Sequence, residues 1–158
     1  MAWMRRFDRR AFLATLAAAM CAPAVGATAP PPRILLVCQF GSVKSAIARE
    51  LLKRRAAERG ARIVVTSRGI TPEEHLPADL QSRLSSDGID PRAQPLRKLD
   101  QKDLDEVDLV VFFDPIPSSF KMGPSRDWTQ VPSILRQYPE ARTDLERRID
   151  ALIAELKP

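Results

Sequence analysis

Cys38, Lys44 and Ser45 are the residues whose types and spacing could do chemistry in this chain. They stand in the run Leu36-Val37-Cys38-Gln39-Phe40-Gly41-Ser42-Val43-Lys44-Ser45, where a thiol ends an apolar stretch and a cation and a hydroxyl follow after five intervening residues. The layout reads as strand, short loop and helix, with the thiol at the base of the loop. Backbone N–H groups at a helix N-terminus stabilise negative charge, and such surroundings favour the thiolate, the nucleophilic form of cysteine. The loop therefore suggests covalent chemistry on an oxyanion, or oxyanion binding without chemistry. The competing account is an inert buried thiol, a solvated Lys44 and a plain first-turn Ser45. Gly41 and Ser42 beside them weigh against it.

The elements that must position this loop follow from the pattern around it. Ile34 to Cys38 is continuously apolar, as expected for a central parallel strand buried on both faces. Ser42 is a suitable N-cap for the next helix, whose Ala46, Ile47, Leu51 and Leu52 recur at helical spacing and which Gly60 ends. Arg62 to Thr66 reads as a second strand, giving a strand–helix–strand unit with a right-handed parallel crossover. Thr71-Pro72-Glu73-Glu74 is a polar turn, Pro77 to Asp87 a helix ended by Gly88, and Asp100 the cap of a short helix. Leu109 to Phe113 is a third strand, Asp127 to Val131 a weaker fourth, and Tyr138 to Leu156 a long helix with Leu145, Ile149, Leu152 and Ile153 inward. This alternation predicts a three-layer α/β/α sandwich with a four-stranded parallel sheet. His75, the only histidine, sits in a polar loop without obvious partners, and Trp128 is expected to pack against the sheet edge.

The chain has 158 residues, enough for one ordinary domain. Residues 1–27 read as a secretory signal peptide: Arg5, Arg6, Arg9 and Arg10, then an apolar stretch from Ala11 to Ala19, then small residues ending at Ala27. The stretch is shorter than the ~20 residues of a membrane span. Arg9-Arg10-Ala11-Phe12-Leu13 resembles the twin-arginine export signal. A periplasmic or secreted location is expected, with no stable membrane association after cleavage. Residues 28–33, with Pro30-Pro31-Pro32, form a stiff linker to a domain over residues 34–158. The leader carries four arginines and one aspartate, so its removal takes the formal net charge from +5 to +2. Nothing in that balance points to nucleic acid. Cys21 leaves with the leader, and Cys38 is then the only cysteine, unable to form an internal disulfide.

The pattern Cys-x5-Lys-Ser in a strand–loop–helix frame resembles the low-molecular-weight protein tyrosine phosphatases and the related thiol-dependent arsenate reductases, which carry Cys-x5-Arg-Ser there. Val37-Cys38 through Ser45-Ala46-Ile47-Ala48 is similar to the loop and first helix of that superfamily. Thr66-Ser67-Arg68-Gly69 resembles the segment after its second strand. Leu84, Gly88-Ile89-Asp90 and Gln94-Pro95-Leu96 resemble the stretch before its third strand, and Asp108-Leu109-Val110-Val111 the strand itself. The resemblance implies that Cys38 attacks phosphorus and forms a phosphocysteine. It implies that backbone amides across Gln39, Phe40, Gly41, Ser42, Val43 and Lys44 hold the oxyanion. Ser45 would bond the thiolate, and Lys44 would stabilise the transferring group. Phosphate, arsenate or a phosphorylated substrate is the implied partner, with no cofactor and no metal.

Two departures bear on turnover. Lys44 replaces an arginine that grips two oxygens in a planar fork, whereas lysine offers a point charge. The family's general acid is an Asp-Pro shortly before the last helix, where this chain has Val131-Pro132-Ser133. Asp114-Pro115 has the dipeptide, so Asp114 is the candidate acid, although it directly follows the third strand, where a turn residue is the simpler account. Asp127 lies near the expected place but has no proline. The expected function is thus a cysteine-dependent phosphatase of weak activity. A silent oxyanion-binding module and an arsenate reductase using an external thiol are the alternatives.

Overall fold

Arg33–Cys38 forms the central strand, β1, and its side chains alternate between two apolar clusters. Ile34, Leu36 and Cys38 face one cluster and Leu35 and Val37 the other. The computed structural model describes residues 29–156, so the expected leader over residues 1–27 lies outside the described residues. The remaining elements are α1 (Lys44–Glu58), β2 (Val64–Gly69), α2 (Ala78–Ser86), α3 (Gln101–Asp105), β3 (Leu109–Phe112), β4 (Ser125–Asp127) and α4 (Tyr138–Leu156). The sheet runs β2-β1-β3-β4 with every pairing parallel, as the apolar runs anticipate.

The two faces of the sheet are covered unequally. Residues of α1, α2 and α4 join the larger cluster, including Ile47, Leu51, Leu52, Leu84, Leu145 and Ile149. The other face is covered by the five-residue α3 through Leu104, with Leu99, Phe112, Ile116 and Phe120 from the flanking segments. Asp100 caps α3 as the sequence suggests: its carboxylate accepts the Asp103 N–H at 2.8 Å, and the Asp103 carboxylate accepts the Asp100 N–H at 3.2 Å.

Three boundaries differ from the sequence expectation, each for a physical reason. β2 runs to Gly69 rather than ending at Thr66, because it pairs with β1 residue by residue until Cys38 meets Gly69. β4 is Ser125–Asp127 rather than Asp127 to Val131, since Val110 to Phe112 offers partners only there. Trp128 then turns inward, 5% exposed, and meets Phe113 edge-on with ring centroids 5.8 Å apart. Ser42 is not the cap of α1. Val43 occupies that position with no side-chain bond, and the Ser42 hydroxyl is engaged elsewhere.

Helix α4 is tied to the end of α2 by a polar cluster. The Tyr138 hydroxyl donates to Asp87 Oδ2 at 2.7 Å, and Arg142 approaches the same oxygen at 2.5 Å. The Tyr138 bond, with Arg142, holds the Asp87 carboxyl below its usual range. Burial, then the bond to Asp87, raises the Tyr138 phenol to about 12. A depressed carboxyl adds stability at neutral pH and loses it as pH falls through the carboxylate range; a raised phenol adds stability below ~10 and loses it as pH climbs toward the folded value. Tyr138→Phe is therefore predicted to cost about 1 kcal/mol at pH 7 and to flatten stability loss on both flanks. Urea midpoints measured from about pH 2 to pH 12, which spans both flanks, check this, and flanks as steep as those of wild type would contradict it.

Candidate active site

The thiol lies where β1 ends, at the sheet edge to which the C-terminal ends of all the parallel strands point. Cys38 is 4% exposed, and its sulfur is contacted from two sides. The Gly41 N–H donates to Cys38 Sγ at 3.2 Å, and Ser45 Oγ lies 3.1 Å from it. Both contacts suit a sulfur carrying negative charge. Ser45 is itself fully buried in the first turn of α1, so its hydroxyl is fixed in place.

The loop is held from outside by the chain that follows β2. Ile70 N–H donates to Cys38 O at 3.1 Å, Thr71 N–H to Gln39 O at 2.8 Å and Glu73 N–H to Phe40 O at 3.1 Å. Three successive carbonyls are thereby occupied on the outer side, while the Gly41 N–H points in toward sulfur. At the start of α1, N–H groups have no intrahelical acceptor until Ile47 reaches Val43 O, so those of Lys44, Ser45 and Ala46 are open to an anion.

Two glycines permit this approach. Gly41 has φ +75°, and a Cβ on it would lie 2.7 Å from the Gly69 nitrogen and 2.8 Å from Leu96 Cδ1. A Cβ on Gly69 would lie 2.7 Å from both the carbonyl carbon and the oxygen of Phe40. The β1–β2 register that brings Gly69 opposite Cys38 thus brings two backbones to a distance that no side chain tolerates.

The charged groups gather from distant parts of the chain. Lys44 Nζ lies 3.2 Å from Asp114 Oδ1 and 3.5 Å from Phe113 O. Asp114 Oδ2 accepts the Gln39 N–H at 2.9 Å. Asp114 is therefore in the site, bound to the first amide of the loop and to the candidate transition-state cation. Its nearness to the thiol follows from sheet order: β3 pairs with β1 with Phe112 opposite Val37, so Asp114, two residues past β3, lies beside Gln39, two residues past Val37. That is the signal that a turn assignment overlooks.

The expected amide cradle is smaller than the loop. The Gln39 amide is committed to Asp114 and the Gly41 amide to sulfur. The Gln39 side chain turns away and donates to Thr71 Oγ1 at 2.7 Å. The Ser42 hydroxyl accepts the His75 N–H at 3.1 Å, Val43 is buried, and Phe40 stands half-exposed at the rim. No carboxylate enters from the segment before α4. Ser133, Ile134 and Leu135 line that side, while the Asp127 carboxylate is occupied by the Thr129 hydroxyl and N–H, which hold it below its usual range. His75, which reads in the chain as a solitary loop histidine, also lines the cavity.

The cavity over the thiol measures about 180 Å³ and is walled by Cys38, Phe40, Lys44, His75, Asp114 and Leu135 together with Gln39, Val43, Ser133 and Ile134. That is room for a tetrahedral oxyanion and the first atoms of a leaving group. A larger hollow of about 650 Å³ lies between Pro30–Pro32 and the turn around Gly60, at the other end of β1, and none of its lining residues is a nucleophile. Gly41→Ala is predicted to destabilise the fold by about 1–3 kcal/mol through the forced φ and the Gly69 contact. A urea midpoint equal to wild type would count against the close packing described for this loop.

Comparison with known proteins agrees with this geometry. The model of the low molecular weight phosphotyrosine protein phosphatases matches residues 33–146. An arsenate reductase solved in its phosphate-binding state is similar with a TM-score of 0.63 at 23% identity, covering 80% of this chain and 99% of that one. The low-molecular-weight protein tyrosine phosphatase of T. tengcongensis has a TM-score of 0.59 at 21% identity, covering 79% and 99%. A cysteine-to-serine mutant of YwlE, the arginine phosphatase of Bacillus subtilis, with a phosphorylated active-site serine, has a TM-score of 0.63 at 19% identity, covering 78% and 95%. No curated protein matches the chain. At these identities the structural likeness is one of fold, while the family model spans most of the chain and includes the thiol loop, β3 and most of the described domain. The chain belongs to the low molecular weight phosphotyrosine protein phosphatase family, whose members carry phosphatase or arsenate-reductase-like activity.

Proposed function

We propose that this protein is a cysteine-dependent phosphatase that cleaves a phosphate monoester through a phosphocysteine on Cys38. The observation that carries the proposal is the sulfur of Cys38 held between the Gly41 N–H and Ser45 Oγ at the base of an amide loop, with Lys44 at its mouth. In the first half-reaction the thiolate attacks phosphorus, an S–P bond forms and the P–O bond to the leaving alcohol breaks. In the second, water attacks phosphorus and the sulfur leaves as thiolate. Ser45 and Gly41 ease that departure by bonding the sulfur, and Lys44 neutralises charge on the transferring oxygens. The serine-bound phosphate of the mutant YwlE, at an active-site position changed from cysteine, supports a covalent route in a protein of this fold.

Lys44 must leave or share its contact with Asp114 to reach a bound phosphate, and Asp114 already takes the Gln39 amide. Both contacts oppose tight anion binding, so slow turnover is part of the proposal. They also favour a second reading, a binding module without turnover. An arsenate reductase would need an external thiol, since Cys38 is the only free cysteine among the described residues. Export by the leader over residues 1–27 is proposed from its sequence alone, and a mass consistent with cleavage after Ala27 would test it.

Purified protein is expected to release phosphate from 4-nitrophenyl phosphate, and Cys38→Ser to abolish the release. Lys44→Met should lower kcat/KM by about 10²–10³-fold, the usual effect of losing one preorganised charge contact. Wild type as inactive as Cys38→Ser across pH 4 to 8 would refute the phosphatase reading. Calorimetric binding of phosphate in that case would leave the binding module.

A further inference from the structure

The cavity over Cys38 holds four ionisable side chains, and three are already committed. Cys38 is the nucleophile, while Lys44 and Asp114 form an ion pair with each other. Asp114 has one oxygen on the lysine and the other on the Gln39 amide, so both oxygens are already engaged as acceptors. It is badly placed to give a proton away. The fourth group is His75. Two contacts tie the residue to the thiol loop: its backbone N–H donates to Ser42 Oγ at 3.1 Å, and its ring packs against that of Phe40, tilted by 44° with centroids 4.0 Å apart. One ring nitrogen, Nε2, lies 3.3 Å from Glu73 Oε2, within ion-pair reach but not aligned as a hydrogen bond.

We infer that His75 is the proton donor to the leaving group, replacing the carboxylic acid that the segment before α4 does not supply. The inference rests on the phosphatase reading above. As the P–O ester bond breaks, its electron pair passes to the leaving oxygen, which takes a proton from the His75 imidazolium and departs as the neutral alcohol. His75 is then neutral. When water attacks the phosphocysteine, His75 accepts the proton that the water loses, the S–P bond breaks, and its electron pair returns to Cys38 as thiolate. Both protons and the sulfur charge are restored after one cycle. Nε2 is turned to Glu73, so Nδ1 is the nitrogen left for the ester oxygen. The charged groups around the ring are Glu73 at Nε2 and, across the cavity, Lys44, Asp114 and Cys38. Glu73 is held by its own N–H on Phe40 O, so it moves with the loop it serves.

A proton donor matters in proportion to how poor the leaving group is. The test compares phenyl phosphate, whose phenolate needs a proton, with 2,4-dinitrophenyl phosphate, whose phenolate does not. His75→Gln should lower kcat/KM for phenyl phosphate by about 10²-fold and leave the dinitrophenyl ester nearly unchanged. In His75→Ala, added imidazole should restore kcat/KM for phenyl phosphate and leave kcat/KM for the dinitrophenyl ester unaltered, because kcat/KM reports only the steps up to the phosphocysteine. A purely structural role would lower both esters together and give no response to imidazole, and that result would overturn the inference, as would undiminished turnover of phenyl phosphate. Failure of wild type on both esters would instead remove the phosphatase reading beneath it.

Discussion

The active loop depends on one steric constraint, the approach of two backbones at Gly41 and Gly69. Parallel pairing of β1 and β2 continues until the thiol residue itself faces Gly69. Beyond that point the chain after β2 runs alongside the loop and takes its carbonyls as acceptors. With the carbonyls engaged outside, the Gly41 N–H is free for sulfur. A methyl group at either glycine would push the two segments apart, and with them the Gly41 N–H that contacts the sulfur. The nucleophile's surroundings thus follow from strand register more than from any single polar contact.

The β1–β3 register sets the charge pattern at the mouth. Placing β3 next to β1 puts Asp114 against Gln39 and Lys44. A carboxylate at the mouth of the proposed oxyanion site has a cost, since it would repel an anion and occupies an amide. It also holds a long, flexible lysine side chain in one place, and a point charge needs such holding more than a forked guanidinium does. Substitution of lysine for arginine and engagement by Asp114 are therefore two parts of one arrangement: the cation is kept at the site, at the expense of its strength there. Phe40, Leu135 and His75 line the same cavity over the thiol.

Much of the frame is legible in the chain because the signals are local. An apolar run buried on both faces, a glycine-containing loop and a helix with apolar residues at helical spacing identify β1, the loop and α1 without reference to anything distant. The Asp100–Asp103 capping box and the inward residues of α4 are legible for the same reason. Less legible are features decided by pairing partners. The extension of β2 to Gly69 and the placing of β4 at Ser125–Asp127 depend on what lies beside them. Ser42 has the composition of an N-cap, yet its hydroxyl serves His75, thirty-three residues away in the chain.

The sequence by itself determined the thiol at the strand end, its strand–loop–helix setting, the parallel α/β class and the lack of an Asp-Pro before the last helix, since each is written in neighbouring residues. Only the tertiary structure decided which groups share the cavity with Cys38. Asp114 reads as a turn and His75 as a solitary loop histidine until the sheet order and the chain after β2 bring them to the thiol. The physical reason is that strand ends in a parallel sheet converge on one edge whatever their separation in the chain, so the chemistry at that edge is assembled by topology.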